Sequence, residues 1–360
     1  MNLLVVTYKV DQADSLVGFA VGWLNALAAR LDHLDVICLA RGPAQLRENI
    51  TVHSLGKERG ARKLAQAIEF YRVALRARAD VVFCQFSPIF VVAIAPIAKL
   101  RGWPTVLWYT HRHVDLKLRI ATALADRVVT ASPESFGLAS SKVRVIGHGI
   151  DTERFAPDES GLADPTRLKT ILAVGRIAPI KNYEMLIEAA SRITRQRADA
   201  EFVVAGGVQA KGLEDYFDGL KAMAVERGLG DRFRFIGSVP HGEVPELYRR
   251  ATVSVNLCPT GGMDKAVLEG LAAGVPVVVC NRSFAPLLGD ERLLVPEGDA
   301  AALAERLNTM LDTPESQRKE WGNRLRERVQ AEHGLERFAI RIIDVVKEVA
   351  GRPGSGYVAD

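Results

Sequence analysis

Short apolar runs recur along this chain of 360 residues, separated by stretches with helical periodicity. In the first half they occupy 3–7, 35–39, 81–85, 105–109, 127–130 and 142–146. In the second half they occupy 170–174, 201–205, 232–236, 252–256 and 276–279, with 293–295 a short last one. Helix-like stretches such as 17–31 and 62–78 lie between them. A continuously apolar run suits a strand covered on both faces, and strands alternating with helices suit a parallel sheet. The pattern occurs twice, which predicts an α/β protein of two doubly wound, Rossmann-like domains. The length is too great for one typical domain and about right for two. The polar segment 158–167, with Gly161 and Pro165, is the expected boundary. The domains are then 1–157 and 158–334. Ligands of such sheets bind outside the carboxyl ends of the strands, so the loops that follow strands carry the search for function.

Composition narrows the class. Hydrophobic residues are 48% and charged residues 25% of the chain, as in an ordinary globular protein. No run approaches the roughly 20 apolar residues of a membrane span; the longest candidate, 89–97, is bounded by Pro88 and cut by Pro96. The opening stretch reads as a strand, without the basic flank and long apolar core of a secretory leader. Cys38, Cys84, Cys258 and Cys280 are scattered and lack metal-ligand spacing, which predicts reduced thiols in a cytoplasmic protein. The net charge of +4 is unevenly spread: residues 1–150 carry 19 Lys+Arg against 11 Asp+Glu, and the rest carry 28 against 32. A basic first half suits an anionic partner such as a membrane surface or a phosphorylated acceptor. No nucleic-acid motif accompanies it, so no nucleic-acid partner is expected.

Two loops hold the chemistry. Val174-Gly175-Arg176-Ile177-Ala178-Pro179-Ile180-Lys181-Asn182 leaves the strand 170–174 and enters a helix-like stretch from Tyr183. Gly175 permits a tight turn. Arg176 and Lys181 then concentrate positive charge near a helix N-terminus, an arrangement that suits a diphosphate. A surface loop with two solvated cations would read the same way. The second loop, Thr260-Gly261-Gly262-Met263-Asp264-Lys265, opens the helix that carries Glu269 and ends at Gly274 before a buried strand. A carboxylate in that apolar helix needs a partner: a ribose diol, a salt bridge or a helix cap.

In this order the segments resemble the retaining nucleotide-sugar transferases of glycosyltransferase family 4. Residues 145–157, 172–193, 239–279 and 326–349 match that family's interdomain segment, diphosphate loop, donor-binding half and C-terminal helices. The resemblance implies the GT-B fold, with two domains facing a cleft and helix 335–350 packing back on the first domain. It implies transfer of a sugar from a nucleoside diphosphate to a carbohydrate or lipid-linked acceptor, with retention at the anomeric carbon. Arg176 and Lys181 would stabilise charge on the departing diphosphate, and Glu269 would hold the ribose. His111, after the strand 105–109, would face the donor sugar; a helix-capping role is the alternative. The base would lie by the loop after Phe235, where Gly237, Ser238 and Val239 offer backbone contacts. His148 is expected near the cleft as a hinge residue.

The chain departs from the family in two places. The usual second glutamate, eight positions before the ribose one, is Gly261. Asp264, followed by Lys265, would replace it, or the backbone N–H groups of Gly262, Met263 and Asp264 would hold the sugar. The usual glycine pair after the first strand is reduced to Gly18, which would let the backbone approach the donor phosphate. No Asp-x-Asp occurs, so no metal or other cofactor is expected and the protein's own cations would neutralise the diphosphate. Residues 57–78 carry Lys57, Arg59, Arg62, Lys63, Arg72, Arg76 and Arg78, with Leu64, Ala67, Ile68, Tyr71 and Leu75 at helical spacing. They form either a helix packed on the sheet with a basic solvent face or a membrane-surface helix that makes the enzyme peripheral on the inner face of the cell membrane. A GT-B epimerase would want acid/base carboxylates in the cleft, and no motif supplies them. A catalytically degenerate nucleotide-binding partner of another transferase is the rival that Gly261 motivates.

Overall fold

A computed structural model describes residues 1–157, 168–210, 212–259 and 261–351. Its contacts divide the chain into two units. Unit 1 is Met1–Gly149 together with the chain from His333 onward, and unit 2 is Ile150–Glu332. The boundary thus falls at Gly149 rather than near 157. Ile150 and Phe155, each 1% exposed, belong to the core of unit 2, which draws the segment across. The segment 158–167, taken from the sequence as the linker, lies outside the described residues.

Unit 1 runs β1 (Asn2–Val10), α1 (Ala20–Ala28), β2 (His33–Arg41), β3 (Ile50–Ser54), α2 (Lys63–Arg76), β4 (Val81–Gln85), α3 (Pro88–Arg101), β5 (Thr105–Trp108), α4 (Leu116–Leu124), β6 (Arg127–Thr130) and β7 (Val143–Val145). The strands form one seven-stranded parallel sheet in the order β3-β2-β1-β4-β5-β6-β7. Alternate residues of a strand face opposite sides. Val82 and Cys84 of β4 and Leu107 of β5 join the core with Phe70 of α2, Ile94 of α3 and Leu118 of α4. Trp108 of β5 meets Trp23 of α1 edge-on at 5.1 Å between ring centroids. The β3 strand is absent from the sequence expectation. Its five residues are half-buried or exposed at the sheet edge, so they lack the continuous apolar run of a central strand.

Unit 2 runs β8 (Lys169–Val174), α5 (Tyr183–Thr194), β9 (Ala200–Ala205), α6 (Glu214–Glu226), β10 (Phe233–Gly237), α7 (Val244–Arg250), β11 (Val253–Asn256), α8 (Lys265–Ala272), β12 (Val277–Val279), α9 (Ala285–Leu288), α10 (Ala300–Asp312) and α11 (Glu315–His333). Its five strands are all parallel, in the order β10-β9-β8-β11-β12. The order reverses between β8 and β11. That is the topological switch point at which open α/β sheets hold ligands. The expected last strand at 293–295 is instead a 3₁₀ turn, Glu291–Leu293, followed by a single bridge from Leu294 to Val279.

The chain returns to unit 1 at His333, the last residue of α11, and continues there as α12 (Leu335–Val349). Phe338, Ile342, Val345 and Val346 recur at helical spacing and are buried. Each such side chain stabilises by roughly 1.5–3 kcal/mol when fully covered. Phe338 packs on Trp23 with centroids 4.2 Å apart. Trp23 donates its indole N–H to the carbonyl of Gly149 at 2.7 Å. A Cβ on Gly149 would lie 2.5 Å from the Phe338 ring, so only glycine lets the chain pass there. Among the described residues no helix is long and apolar enough to cross a membrane.

Candidate functional site

Three adjacent strands of unit 2, β8, β9 and β10, are followed by or end in glycine. Gly175 donates its N–H to the Ala205 carbonyl at 2.9 Å, and Gly206 donates to the Gly237 carbonyl at 2.8 Å. A Cβ on Gly206 would lie 1.9 Å from the Gly175 carbonyl oxygen. The three chain turns therefore close into a row only because Gly206 has no side chain. Gly237 has φ 77°, in the left-handed region where glycine is favoured. The Gly175 carbonyl also accepts from the Tyr183 hydroxyl at 2.7 Å, which ties the start of this loop to the first residue of α5.

The loop itself carries the two expected cations. Arg176 is exposed and makes no hydrogen bond or ion pair with a described residue. Ile177 is fully buried and donates to the Gly207 carbonyl at 3.0 Å. This anchors the backbone so that Arg176 stands outward. A single 3₁₀ turn, Pro179–Lys181, then brings Lys181 back beneath the loop. Asn182 takes φ 50°, ψ 49° before α5 begins, a left-handed conformation that asparagine tolerates better than most residues.

Lys181 forms an ion pair with Asp264. Asp264 caps α8, accepting from the Ala266 N–H at 3.2 Å, and accepts from Asn256 Nδ2 at 3.0 Å. Burial alone would lower the Lys181 pKa, but the adjacent carboxylate raises it above the ordinary lysine value. Burial likewise works against Asp264, and the Lys181 ammonium holds it below the usual carboxylate range. Asp264, expected to contact the donor sugar, thus has its two oxygens engaged within the protein.

One turn further, Glu269 is 6% exposed. Its Oε1 lies 3.2 Å from His241 Nε2 and 3.4 Å from Lys265 Nζ. Burial opposes its charge, and those two partners more than offset this, so its pKa falls. Lys265 is pushed down to about 8 by burial, which Glu269 only partly opposes. Of the roles open to Glu269 from the sequence, the structure shows the salt bridge. The preceding loop is pinned from the far side. Asn281 donates to the Gly262 carbonyl at 2.9 Å and Ser283 to the Gly261 carbonyl at 3.2 Å. Met263 packs against the core. Thr260 lies outside the described residues.

Gly175, Arg176, Lys181, Gly237, Gly262, Met263, Asp264, Lys265 and Glu269 thus gather beyond the carboxyl ends of the unit 2 strands. Gly18 and His111 belong to unit 1, on the segments that follow β1 and β5. Gly18 donates to the Asp14 carbonyl at 3.0 Å in the turn before α1. His111 is exposed and sits edge-on to Tyr109 at 5.4 Å. It does not cap α4, because Asp115 does, accepting from Leu118 N–H at 2.8 Å. His148 is 5% exposed, and its backbone N–H donates to His333 Nδ1 at 3.2 Å. Sequence reasoning missed Gly206, His241 and Asn256. The doubled glycine after 201–205 signalled the first; the other two act through long-range pairing that leaves no local trace. Among the described residues no group of three His, Cys, Asp or Glu side chains could hold a metal ion.

The family model described as "Glycosyl transferases group 1" matches residues 157–328, and the one described as "Glycosyltransferase Family 4" matches 19–154. A lipopolysaccharide core biosynthesis mannosyltransferase, LpcC of Rhizobium leguminosarum bv. viciae, is 28% identical over 86% of this chain and 91% of the relative. The GDP-mannose-dependent alpha-(1-6)-phosphatidylinositol monomannoside mannosyltransferase of Mycobacterium tuberculosis is 28% identical over 54% of this chain. That match spans about half, 56%, of the mycobacterial protein's own length. Among solved structures, sucrose-phosphate synthase from Thermosynechococcus elongatus superposes with a TM-score of 0.75 at 19% identity, covering 97% of this chain and 99% of the other. Anabaena HepE in complex with UDP-glucose superposes with a TM-score of 0.73 at 17% identity, covering 97% and 100%. At such identities the structures speak to the fold alone.

Proposed function

Because the chain belongs to glycosyltransferase family 4 and has the GT-B fold, we propose that it moves a sugar from a nucleoside-diphosphate donor to a hydroxyl acceptor with retention at the anomeric carbon. The observation that carries this reading is the convergence of Arg176, Lys181 and the N-terminus of α8 at the switch point of unit 2. As the bond from the anomeric carbon to the diphosphate breaks, negative charge grows on the phosphate oxygen. Fixed cations placed there lower the barrier. Arg176 supplies an outward guanidinium. Lys181 supplies an ammonium already oriented by Asp264, and it shares that charge with the incoming phosphate. These cations, not a metal ion, neutralise the leaving group.

The acceptor hydroxyl attacks the same face, and its proton passes to the departing phosphate oxygen. Glu269, held by His241 and Lys265, accepts hydrogen bonds from the ribose diol. The backbone of Gly237, Ser238 and Val239 meets the base, and the N–H groups of Gly262 and Met263 meet the donor sugar. The acceptor is a lipid-linked or cell-surface glycan; the lipopolysaccharide-core and phosphatidylinositol names of the relatives support that choice. Thermal shift against a panel of nucleoside diphosphates and their sugar conjugates tests the donor site. A saturable shift with one nucleotide, lost in Arg176→Ala, is expected, followed by turnover that gives a product of unchanged anomeric configuration. Absence of any shift at millimolar nucleotide overturns the reading. The pairing of Lys181 with Asp264, together with Gly261, favours one other reading: a nucleotide-binding partner without turnover. It predicts the shift but no product.

A further inference from the structure

The apolar residues that recur along α2 are not the ones that hold it to the sheet. Phe70, Val73 and Ala74 are buried, whereas Leu64, Ile68, Tyr71 and Leu75 are 72%, 62%, 40% and 48% exposed. Successive steps of four, three and four residues keep those four side chains within an arc of about 60° on a helix of 3.6 residues per turn. Scattered surface leucines need no explanation, but a continuous exposed stripe does. Leu100 of α3 is also exposed, at 78%. The next residue, Arg101, donates to the Leu75 carbonyl at 2.6 Å and so fixes the end of α3 beside the end of α2.

Cations surround the stripe. Residues 57–78 hold seven Lys and Arg against Glu58 and Glu69. Glu69 is taken up by Arg72 at 2.6 Å, and Glu58 accepts from Ser54 at 2.8 Å. Lys63 and Arg76 are exposed and make no hydrogen bond or ion pair with a described residue. A second copy of this chain packed stripe to stripe would bring the two basic surrounds together, which like-charge repulsion opposes. A sheet of anions over an apolar interior satisfies both features at once. We propose that α2 docks this protein on an anionic lipid bilayer, with Leu64, Ile68, Tyr71 and Leu75 entering the headgroup–acyl boundary and Lys63, Arg76 and Arg101 lying at the phosphates. Tyr71, with an apolar ring and a polar tip, suits that depth. The proposal stands apart from the transferase reading, since none of these residues belongs to the donor site.

Co-sedimentation of the full chain with vesicles tests it. Binding to phosphatidylglycerol–phosphatidylcholine vesicles at low salt is expected, with none to phosphatidylcholine alone. Salt at about 1 M, where the Debye length falls to about 3 Å, should release the protein. Lys63→Gln with Arg76→Gln should weaken partitioning about 25-fold, at roughly fivefold per cation. Leu64→Ser with Ile68→Ser should abolish it while leaving the unfolding midpoint and nucleotide-induced thermal shift unchanged. Failure to bind anionic vesicles at low salt, full binding by the serine variant, or a dimer that the serine substitutions dissociate would each overturn the proposal. Because nucleotide response is read separately, loss of the transferase reading would leave this result standing.

Discussion

Lys181 and Asp264, 83 positions apart in the chain, form an ion pair at the mouth of α8, with Asn256 holding the carboxylate from the other side. The cation assigned to the diphosphate is thus preorganised by an anion of the protein itself. Its side chain is only 14% exposed, so little rotamer freedom remains to be lost when a ligand arrives.

The pair predicts a separation of stability from activity. Lys181→Ala leaves a largely buried carboxylate without its cation and should cost about 3 kcal/mol. Lys181→Met combined with Asp264→Asn removes both charges and keeps a good helix cap, so most of that loss should return. Both variants should lose about 100-fold or more in turnover. Urea unfolding and donor turnover measured on the same samples decide it. A double variant as unstable as the single one would show that the pair is not the cause.

Glu269 offers a test of ribose recognition. Hydrogen bonds to a charged group are worth about 1.5–3 kcal/mol, so the protein should prefer a ribonucleoside diphosphate over its 2′,3′-dideoxy analogue by about 10-fold or more. Glu269→Gln should bring the two affinities close together in titration calorimetry. Unchanged discrimination would remove Glu269 from the ribose.

His333 predicts an acid-sensitive fold. It is 4% exposed, burial pushes its pKa down to about 4, and its Nδ1 accepts a backbone N–H from His148. The folded pKa lies below the unfolded value near 6.5. The unfolded chain therefore binds the proton first, and stability falls as pH drops from about 6.5 towards 4. Between pH 6.5 and 5 the loss should be about 1.5 kcal/mol. His333→Gln should flatten this slope in chemical denaturation; an equal slope would place the titration elsewhere.

The glycine row separates two kinds of constraint. Gly206→Ala sets a methyl 1.9 Å from the Gly175 carbonyl oxygen, and neither backbone can yield without opening the strand ends. Gly237→Ala meets nothing within 4 Å and suffers only from its φ of 77°, a cost of about 1–2 kcal/mol. The first substitution should exceed the second, at about 3 kcal/mol or more, in urea midpoints. Equal midpoints would count against the crowding.

The two parallel sheets were legible because their strands are covered on both faces and so read as unbroken apolar runs. The edge strand β3 was not, since half of its environment is solvent. At the site, Arg176, Lys181 and Glu269 stood out by sequence order within motifs. Their partners Asp264 and His241 reach them from distant loops, and no local spacing encodes such pairings. The α2 helix shows the same limit in reverse. Its apolar period was plain in the sequence, but which way the stripe points depends on how Phe70 and Val73 meet the sheet.

Unit 1 is assembled from two stretches of chain with the whole of unit 2 between them. On a ribosome, unit 2 emerges as one uninterrupted piece, whereas unit 1 waits for α12. At about 5–20 residues per second, roughly 10–40 s separate the synthesis of β7 from that of α12. Through that interval the faces of Trp23 and Trp108 that Phe338 will cover stay bare, a natural foothold for a chaperone. Of the two units, the one whose synthesis starts earlier is the one whose last element arrives later.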